Sequence, residues 1–526
     1  MLSRFHITLP ALFCRLPTRV IHSATMSFAP SASAADTVFA LSSGAGVRAG
    51  VAVVRISGPK AADALLALAP GKSGELPEAR RAVLRKLWAP AQSDSEEREL
   101  IDEALAVWFP GPRSFTGEDT VELHTHGSRA VVAATLEALG KLDGLRLAER
   151  GEFTRQAFYN GRMDLTEVEG LSDLINADTE EQRKQALNQM GGAQRERCEG
   201  WRSELLKALA YTEALIDFGE DAEDVTNDAL AGAVEKMKKL RVEIEGHLGD
   251  GGRGEVVREG VRVAILGPPN AGKSTLLNAL AQRPAAIVSD VAGTTRDVVQ
   301  VTLQLGGLPV LISDTAGLRE ATVDPIEVQG MMRAADEARR AHIQLWVYEA
   351  REPPTEQRQL DPEATLQAIG EGSGGGGEAA MDGSGEDDDE LMRLLVLNKI
   401  DLGGAAASAS GCNLLPNADQ FRLSCETGDG VQPFLDELAA RVAKRYGSTS
   451  SGEPALITRA RHREHLKKTV GALAAFEEYA ALGESAPLDL AAEEIRIAAN
   501  ELGRISGRID VEELLDVIFR DFCIGK

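Results

Sequence analysis

The run Gly267-Pro268-Pro269-Asn270-Ala271-Gly272-Lys273-Ser274 follows Val261-Arg262-Val263-Ala264-Ile265-Leu266 and precedes Thr275-Leu276-Leu277-Asn278-Ala279-Leu280. A short β-branched run, a glycine-bearing turn with the spacing GxxxxGK[ST] and an apolar helical run predict a strand, a phosphate loop and a helix. In that setting successive backbone N–H groups can wrap a phosphate at the helix N-terminus. Lys273 can then reach the β- and γ-oxygens, and the Ser274 hydroxyl can ligate Mg²⁺.

Three further patterns each close a predicted strand. Asp314-Thr315-Ala316-Gly317 ends the apolar run from Leu308 to Ile312, where an Asp can hold the Mg²⁺ shell and a Gly N–H can face the γ-phosphate. Asn398-Lys399-Ile400-Asp401 follows Leu394–Leu397 and has the NKxD form in which Asp accepts from the guanine ring nitrogen and exocyclic amine. Adenine offers no such donor pair, so the nucleotide expected is GTP. Ser424-Cys425-Glu426 follows Phe421–Leu423 and stands at the guanine-side loop. The expected nucleotide contacts are therefore Asn270, Ala271, Gly272, Lys273, Ser274, Thr275, Asp314, Thr315, Ala316, Gly317, Asn398, Lys399, Asp401, Ser424, Cys425 and Glu426.

The chain has 526 residues, room for about three domains, and its hydrophobic fraction of 43% suits packed cores. No apolar run reaches the length of a membrane span. Five scattered cysteines, at 14, 198, 412, 425 and 523, suit a reducing compartment better than a disulfide frame or a zinc site. The net charge of −24 argues against nucleic-acid binding by overall field. Residues 371–390 hold eight acidic and no basic groups, and −24 + 8 still leaves −16. RNA contact would need a local basic patch such as Arg459, Arg461, Arg463, Lys467 and Lys468, which otherwise reads as a solvated helix face. Residues 1–35 lack Asp and Glu but carry Arg4, Arg15 and Arg19, the composition of a mitochondrial presequence that directs a chain to the matrix. An alternative is a shorter form starting at Met26.

The expected organisation is multidomain, mixed α/β and all-α. An α/β domain covers 36–155, with strands over 37–41, 50–56 and 104–109. Helical periodicity covers 156–255, carried by Leu165, Val168, Leu171, Leu174 and Ile175 and then by Leu205, Leu206, Leu209, Leu215 and Ile216. A linker at 249–254 leads to a Ras-like α/β P-loop GTPase domain over 256–447, and helical residues resume over 448–526 after a Ser/Gly linker at 448–453. One helical domain interrupted by an inserted GTPase explains this order. The 371–390 tract is expected to be a disordered loop within that insertion.

From about residue 36 onward the chain resembles the MnmE/TrmE tRNA-modification GTPases, in a mitochondrial version. The resemblance rests on Val54-Arg55-Ile56-Ser57-Gly58-Pro59, on Ser114-Phe115-Thr116-Gly117-Glu118-Asp119 with Glu122, and on Gly151-Glu152-Phe153-Thr154. It continues through Asn160-Gly161-Arg162-Met163-Asp164-Leu165 and Gly293-Thr294-Thr295-Arg296-Asp297 to the terminal Phe522-Cys523-Ile524-Gly525-Lys526. The chain departs from the family pattern at Arg150, Arg162, Glu426 and the 371–390 tract. None of these touches phosphate chemistry.

The resemblance implies more than the motifs alone. Leu318 stands where many GTPases carry a water-orienting Gln, and the family's catalytic Glu falls at Glu327. Ser289, Thr294 and Thr295 join the nucleotide site, with Mg²⁺ held by Ser274 and Thr295 and K⁺ by Asn270, Ser289, Val291 and Thr294. The N-terminal domain is implied to bind 5,10-methylenetetrahydrofolate or a related folate through Arg55, Glu122, Arg162 and Lys526 at a homodimer interface. Cys523 becomes a candidate nucleophile or proton donor toward uracil; the other reading is a small apolar residue packing a terminal helix. The implied activity uses a FAD-containing MnmG-type partner to build a carboxymethylaminomethyl- or taurinomethyl-type group on the tRNA wobble uridine. The competing class is a GTPase switch in ribosome assembly, which would bind no folate.

Overall fold

The structure, a computed structural model, describes the backbone of residues 36–44, 48–71, 74–90, 98–218, 223–268, 270–283, 286–287, 300–314, 337–356, 360, 391–403, 419–447, 455–509, 515, 518–520, 522 and 524–526. The chain divides into two compact units, one of residues 1–162 with Ile524–Lys526 and one of Met163–Cys523.

The first unit is built on strands β1 (Thr37–Leu41), β2 (Ala49–Ser57), β3 (Val83–Trp88), β4 (Leu100–Phe109), β5 (Thr120–Gly127) and β6 (Leu145–Leu147). They form one sheet in the order β3-β4-β5-β2-β1-β6, antiparallel except where β1 meets β6. Alternation along each strand sends Val54, Ile56, Val121 and Leu123 to one face, against helices α1 (Ala61–Leu68) and α2 (Arg129–Gly140). Ser128 starts α2 by accepting from the Val131 N–H at 3.2 Å, a cap worth about 1 kcal/mol. On the second face Val38 and Ala40 pack with Phe153 of α3 (Glu152–Tyr159) and with Phe115. The chain terminus docks on this unit. Ile524 bridges to Arg150, and Gly525 has φ of 100° so close to β1 that an added Cβ would sit 2.1 Å from the Leu41 carbonyl oxygen.

The second unit opens with helices α4 (Leu165–Ile175), α5 (Glu180–Met190), α6 (Ala193–Phe218), α7 (Glu223–Leu248) and α8 (Arg253–Glu259). Asp164 and Glu167 close α4 with a reciprocal capping box, and Thr179 and Gln182 do the same for α5. Strand β7 (Val261–Leu266) and helix α9 (Lys273–Ala281) begin the nucleotide-binding part. Strands β8 (Ala286–Ile287), β9 (Gln300–Leu305), β10 (Leu308–Asp314), β11 (Ile343–Glu349), β12 (Met392–Asn398) and β13 (Asp419–Arg422) follow, then α10 (Val431–Tyr446). The sheet order β13-β12-β11-β7-β10-β9-β8 is parallel from β13 to β10 and antiparallel beyond. Strands buried on both faces carry near-continuous apolar runs, as β7, β11 and β12 do.

Helices α11 (Ala460–Ala480) and α12 (Leu488–Ser506) return to the helical part. They share one core with α6 and α7, in which Trp201, Leu205, Met237 and Ile244 meet Leu473, Phe476, Ile495 and Leu502. This is the interrupted helical domain and inserted α/β domain that the sequence predicts.

Two local expectations change. The linker expected over 249–254 is shorter, because α7 ends at Leu248 and α8 begins at Arg253. Gly254 lies inside α8 and is needed there, since an added Cβ would sit 2.0 Å from the Ile457 carbonyl oxygen. Arg459, Arg461 and Arg463 form no solvated face. Arg459 pairs with Asp173 at 2.7 Å, Arg461 with Glu169 at 3.0 Å, and Arg463 with Asp250 at 2.8 Å and Glu255 at 3.0 Å. Asp173 also accepts from Arg258 of α8 at 3.2 Å, so one carboxylate joins α8 to Arg459.

His462 is fully buried within this group. Gln194 donates to its Nδ1 at 2.9 Å, leaving Nε2–H to donate to Glu169 at 2.9 Å. Burial pushes the imidazole down to about 4 against the pull of Glu169. Burial would raise Glu169, but His462, Arg461 and Arg459 hold it well below the usual carboxylate range.

Candidate functional site

The residues expected to bind the nucleotide stand at the ends of four strands, β7, β10, β12 and β13. β7 delivers the phosphate loop, where Gly267 has φ of 133° and an added Cβ would lie 2.1 Å from the Val347 carbonyl oxygen of β11. Asn270 takes φ of 61° with its side chain exposed, a left-handed conformation that Asn tolerates better than most residues. Gly272, at φ of 93°, starts α9, and its carbonyl accepts the Leu276 N–H at 2.8 Å. Lys273 Nζ donates to the carbonyls of Gly267 at 2.9 Å and Pro268 at 2.8 Å, so the ammonium is held inside the loop. Ser274 and Thr275 lie exposed on the first turn of α9. A hydroxyl there, beside a helix N-terminus, suits a hard cation bound to phosphate.

Asn398 ends β12 and is buried. Its Nδ2 donates to the Ala271 carbonyl at 3.0 Å, and its Oδ1 accepts from the Cys425 N–H at 3.2 Å. One amide thereby ties the phosphate loop to the guanine-side loop. It comes so near that a Cβ on Gly272 would sit 2.2 Å from Asn398 Nδ2. Asp401 accepts from the buried Ser424 hydroxyl at 2.5 Å, which fixes the carboxylate. Lys399, at φ of 62°, pairs with Glu349 of β11 at 3.0 Å. Burial, and then the Asp401 charge, push the Cys425 thiol up to about 11, so it is a packing thiol. Glu426 is exposed beside it. Asp314 ends β10. Ser289, Val291, Thr294, Thr295, Thr315, Ala316, Gly317 and Glu327 lie outside the described residues.

The first unit holds the second candidate site. Arg55 and Glu122 are register partners on β2 and β5. Arg55 Nε and Nη2 both donate to Glu122 Oε1, at 3.1 and 2.9 Å. The guanidinium lies 5.1 Å from the Phe115 ring centre and 5.6 Å from that of Phe153, within cation–π range of both. Phe115 and Phe153 belong to motifs noticed in the sequence, yet nothing there says that both rings cover one arginine. Arg162 is exposed and follows Asn160, whose amide donates to the Thr116 carbonyl at 2.8 Å. Gly117 is confined between them, since an added Cβ would meet Asn160 Cβ at 2.7 Å and Arg162 Cγ at 3.2 Å. Lys526 is half-buried on the same unit. Cys523 lies outside the described residues.

A cavity of about 300 Å³ lined by Asp173, Gln182, Gln185, Arg258 and Arg459 shares no residue with either site. Among the described residues no group of three or more His, Cys, Asp or Glu side chains could hold a metal ion. No described helix is long and apolar enough to cross a membrane.

Comparison with known proteins agrees with this arrangement. The family model described as GTP-binding protein TrmE N-terminus matches residues 37–162, and that described as MnmE helical domain matches 165–523. A protein of Parvibaculum lavamentivorans named tRNA modification GTPase MnmE is 49% identical over 93% of this chain and 100% of its own length. A Homo sapiens protein named 5-taurinomethyluridine-[tRNA] synthase subunit GTPB3, mitochondrial, is 44% identical over 99% of each chain. Its namesake from Danio rerio is 45% identical over 93% of each. The phosphate loop, its tie to the guanine-side loop and the full-length likeness lead to one assignment: the chain belongs to the MnmE/TrmE family of tRNA modification GTPases.

Proposed function

We propose that this GTPase, with a FAD-containing MnmG-type partner, installs a 5-carboxymethylaminomethyl- or taurinomethyl-type group on the wobble uridine of tRNA, using a folate one-carbon unit. The observation that carries the folate part is the Arg55–Glu122 pair beneath two aromatic rings, on the unit where the chain terminus docks. A pterin offers adjacent N–H donors that match a carboxylate such as Glu122, and the anionic tail of a folate suits Arg162 or Lys526. The unit acts as a homodimer in this reading.

At the nucleotide site Asn398 and Ser424 hold the base-reading groups, and Lys273 supplies the fixed positive charge for the phosphates. Ser274 with Thr295 would hold Mg²⁺, and Asn270 with Ser289, Val291 and Thr294 would hold K⁺. These ions would neutralise charge as the γ-phosphate leaves. Glu327 would orient the attacking water. Cys523 would act on the uracil ring. The matrix of mitochondria is the proposed location, supported by the composition of residues 1–35 and the printed names of the animal relatives.

The test is reconstitution with tRNA, the FAD partner, GTP, a methylenetetrahydrofolate and an amine. Modified uridine should form with the full set. Its formation at an equal rate without folate would refute the folate reading, and without GTP the proposed role of the nucleotide.

A further inference from the structure

Glu122 and His124 are two residues apart on β5 and so point to the same face of the sheet. Arg55 occupies one Glu122 oxygen, Oε1, with both of its donated hydrogen bonds. The other oxygen, Oε2, stands 3.5 Å from His124 Nε2. That nitrogen is buried from water and has no hydrogen-bond partner among the described residues. A buried polar atom without a partner is rare enough to need a reason. His124 is held in place by its register partners, Val53 on β2 and Leu105 on β4. From there a shift of a few tenths of an ångström brings Nε2 into hydrogen-bond range of Glu122 Oε2.

We infer that His124 is the positioning residue for Glu122, holding the carboxylate in place when the carboxylate turns from Arg55 to the paired N–H donors of a pterin. The inference rests on the folate reading above and adds a residue to it. Arg55 anchors Glu122 from one side, and it must share that carboxylate with an incoming donor pair. A long side chain freed from its partner swings through several rotamers, at an entropic cost to binding. The imidazole, donating from Nε2, supplies the second anchor at Oε2. The pterin half of the ligand depends on this anchor, and the p-aminobenzoyl-glutamate half does not.

The experiment measures binding of 5-formyltetrahydrofolate and of p-aminobenzoyl-glutamate to the full chain by calorimetry, for wild type, His124→Ala and His124→Gln. GTP turnover and melting temperature serve as controls. His124→Ala should weaken the folate at least tenfold and leave the tail fragment within twofold of wild type. His124→Gln, whose amide N–H reaches in the same direction, should recover affinity to within about threefold. Folate affinity unchanged in a stable His124→Ala variant would overturn the assignment, as would parallel loss of folate, tail fragment and melting temperature in both variants. Failure of the wild-type chain to bind any folate would bring down the functional reading and this inference with it.

Discussion

Replacing Asn398 by Ala tests whether one buried amide couples the two halves of the nucleotide site. The substitution removes a 3.0 Å hydrogen bond to the Ala271 carbonyl and a 3.2 Å bond from the Cys425 N–H. Neutral hydrogen bonds contribute about 0.5–1.5 kcal/mol each, so two give about 1–3 kcal/mol. Both ties join loops that must be in place together for the nucleotide. The loss should therefore appear mainly as affinity, roughly 5- to 150-fold at about 1.4 kcal/mol per decade. Asn398→Asp should be worse than Ala, because it sets a carboxylate oxygen against the Ala271 carbonyl where an N–H stood. Titration with a fluorescent GDP analogue reads the affinity, and a thermal melt reads the stability. A dissociation constant within twofold of wild type for Asn398→Ala, with an unchanged melt, would refute the coupling.

Glu327→Ala should leave GTP affinity near wild type and slow single-turnover hydrolysis at least tenfold, about 1.4 kcal/mol in barrier; unchanged turnover removes Glu327 from the mechanism. Hydrolysis should run faster in K⁺ than in Na⁺ at matched ionic strength, and equal rates would contradict a K⁺ site built on Asn270. Cys523→Ser should keep GTP turnover and folate binding but abolish uridine modification in the reconstituted system, whereas a joint decline with melting temperature would mark a packing residue. His462, with its folded value pushed down to about 4, binds fewer protons than the unfolded chain between that pH and about 6.5. Its contribution to stability is complete above about pH 6.5 and should fall away as the pH drops toward 4. Denaturant melts across that range should show the slope, and His462→Gln should flatten it.

The nucleotide-binding part was legible because its strands are apolar runs stopped by residues with fixed backbone demands. Val261–Leu266 ends at a glycine with φ of 133°, and strand and loop stand where the sequence puts them. The α4 repeat of Leu165 and Val168 also reads directly, since both are buried at helical spacing. Leu206 and Ile216 fit the same spacing on α6 but are 41% and 40% exposed, because periodicity marks a stripe without saying how wide the partner is. The arginines at 459, 461 and 463 misled for another reason. Their carboxylate partners lie more than 200 positions earlier in the chain, and no local pattern announces them. The Arg55–Glu122 contact is likewise a matter of strand register, and His124 gains its meaning only from standing two residues along from Glu122.

The shared core of α6, α7, α11 and α12 sets an order of events during synthesis. Ile244 leaves the ribosome 213 residues before Ile457, a member of the same core (457 − 244 = 213). At about 5–20 residues per second, the apolar stripe of α6 and α7 waits roughly 10–40 s for the helices that cover it. The intervening domain can fold as a unit in that time, bringing the chain back beside Gly254. Slow folding of the insertion would thus lengthen the nascent helices' exposure to chaperones and proteases, so a defect in β7 or β10 can lower the yield of the helical domain as well.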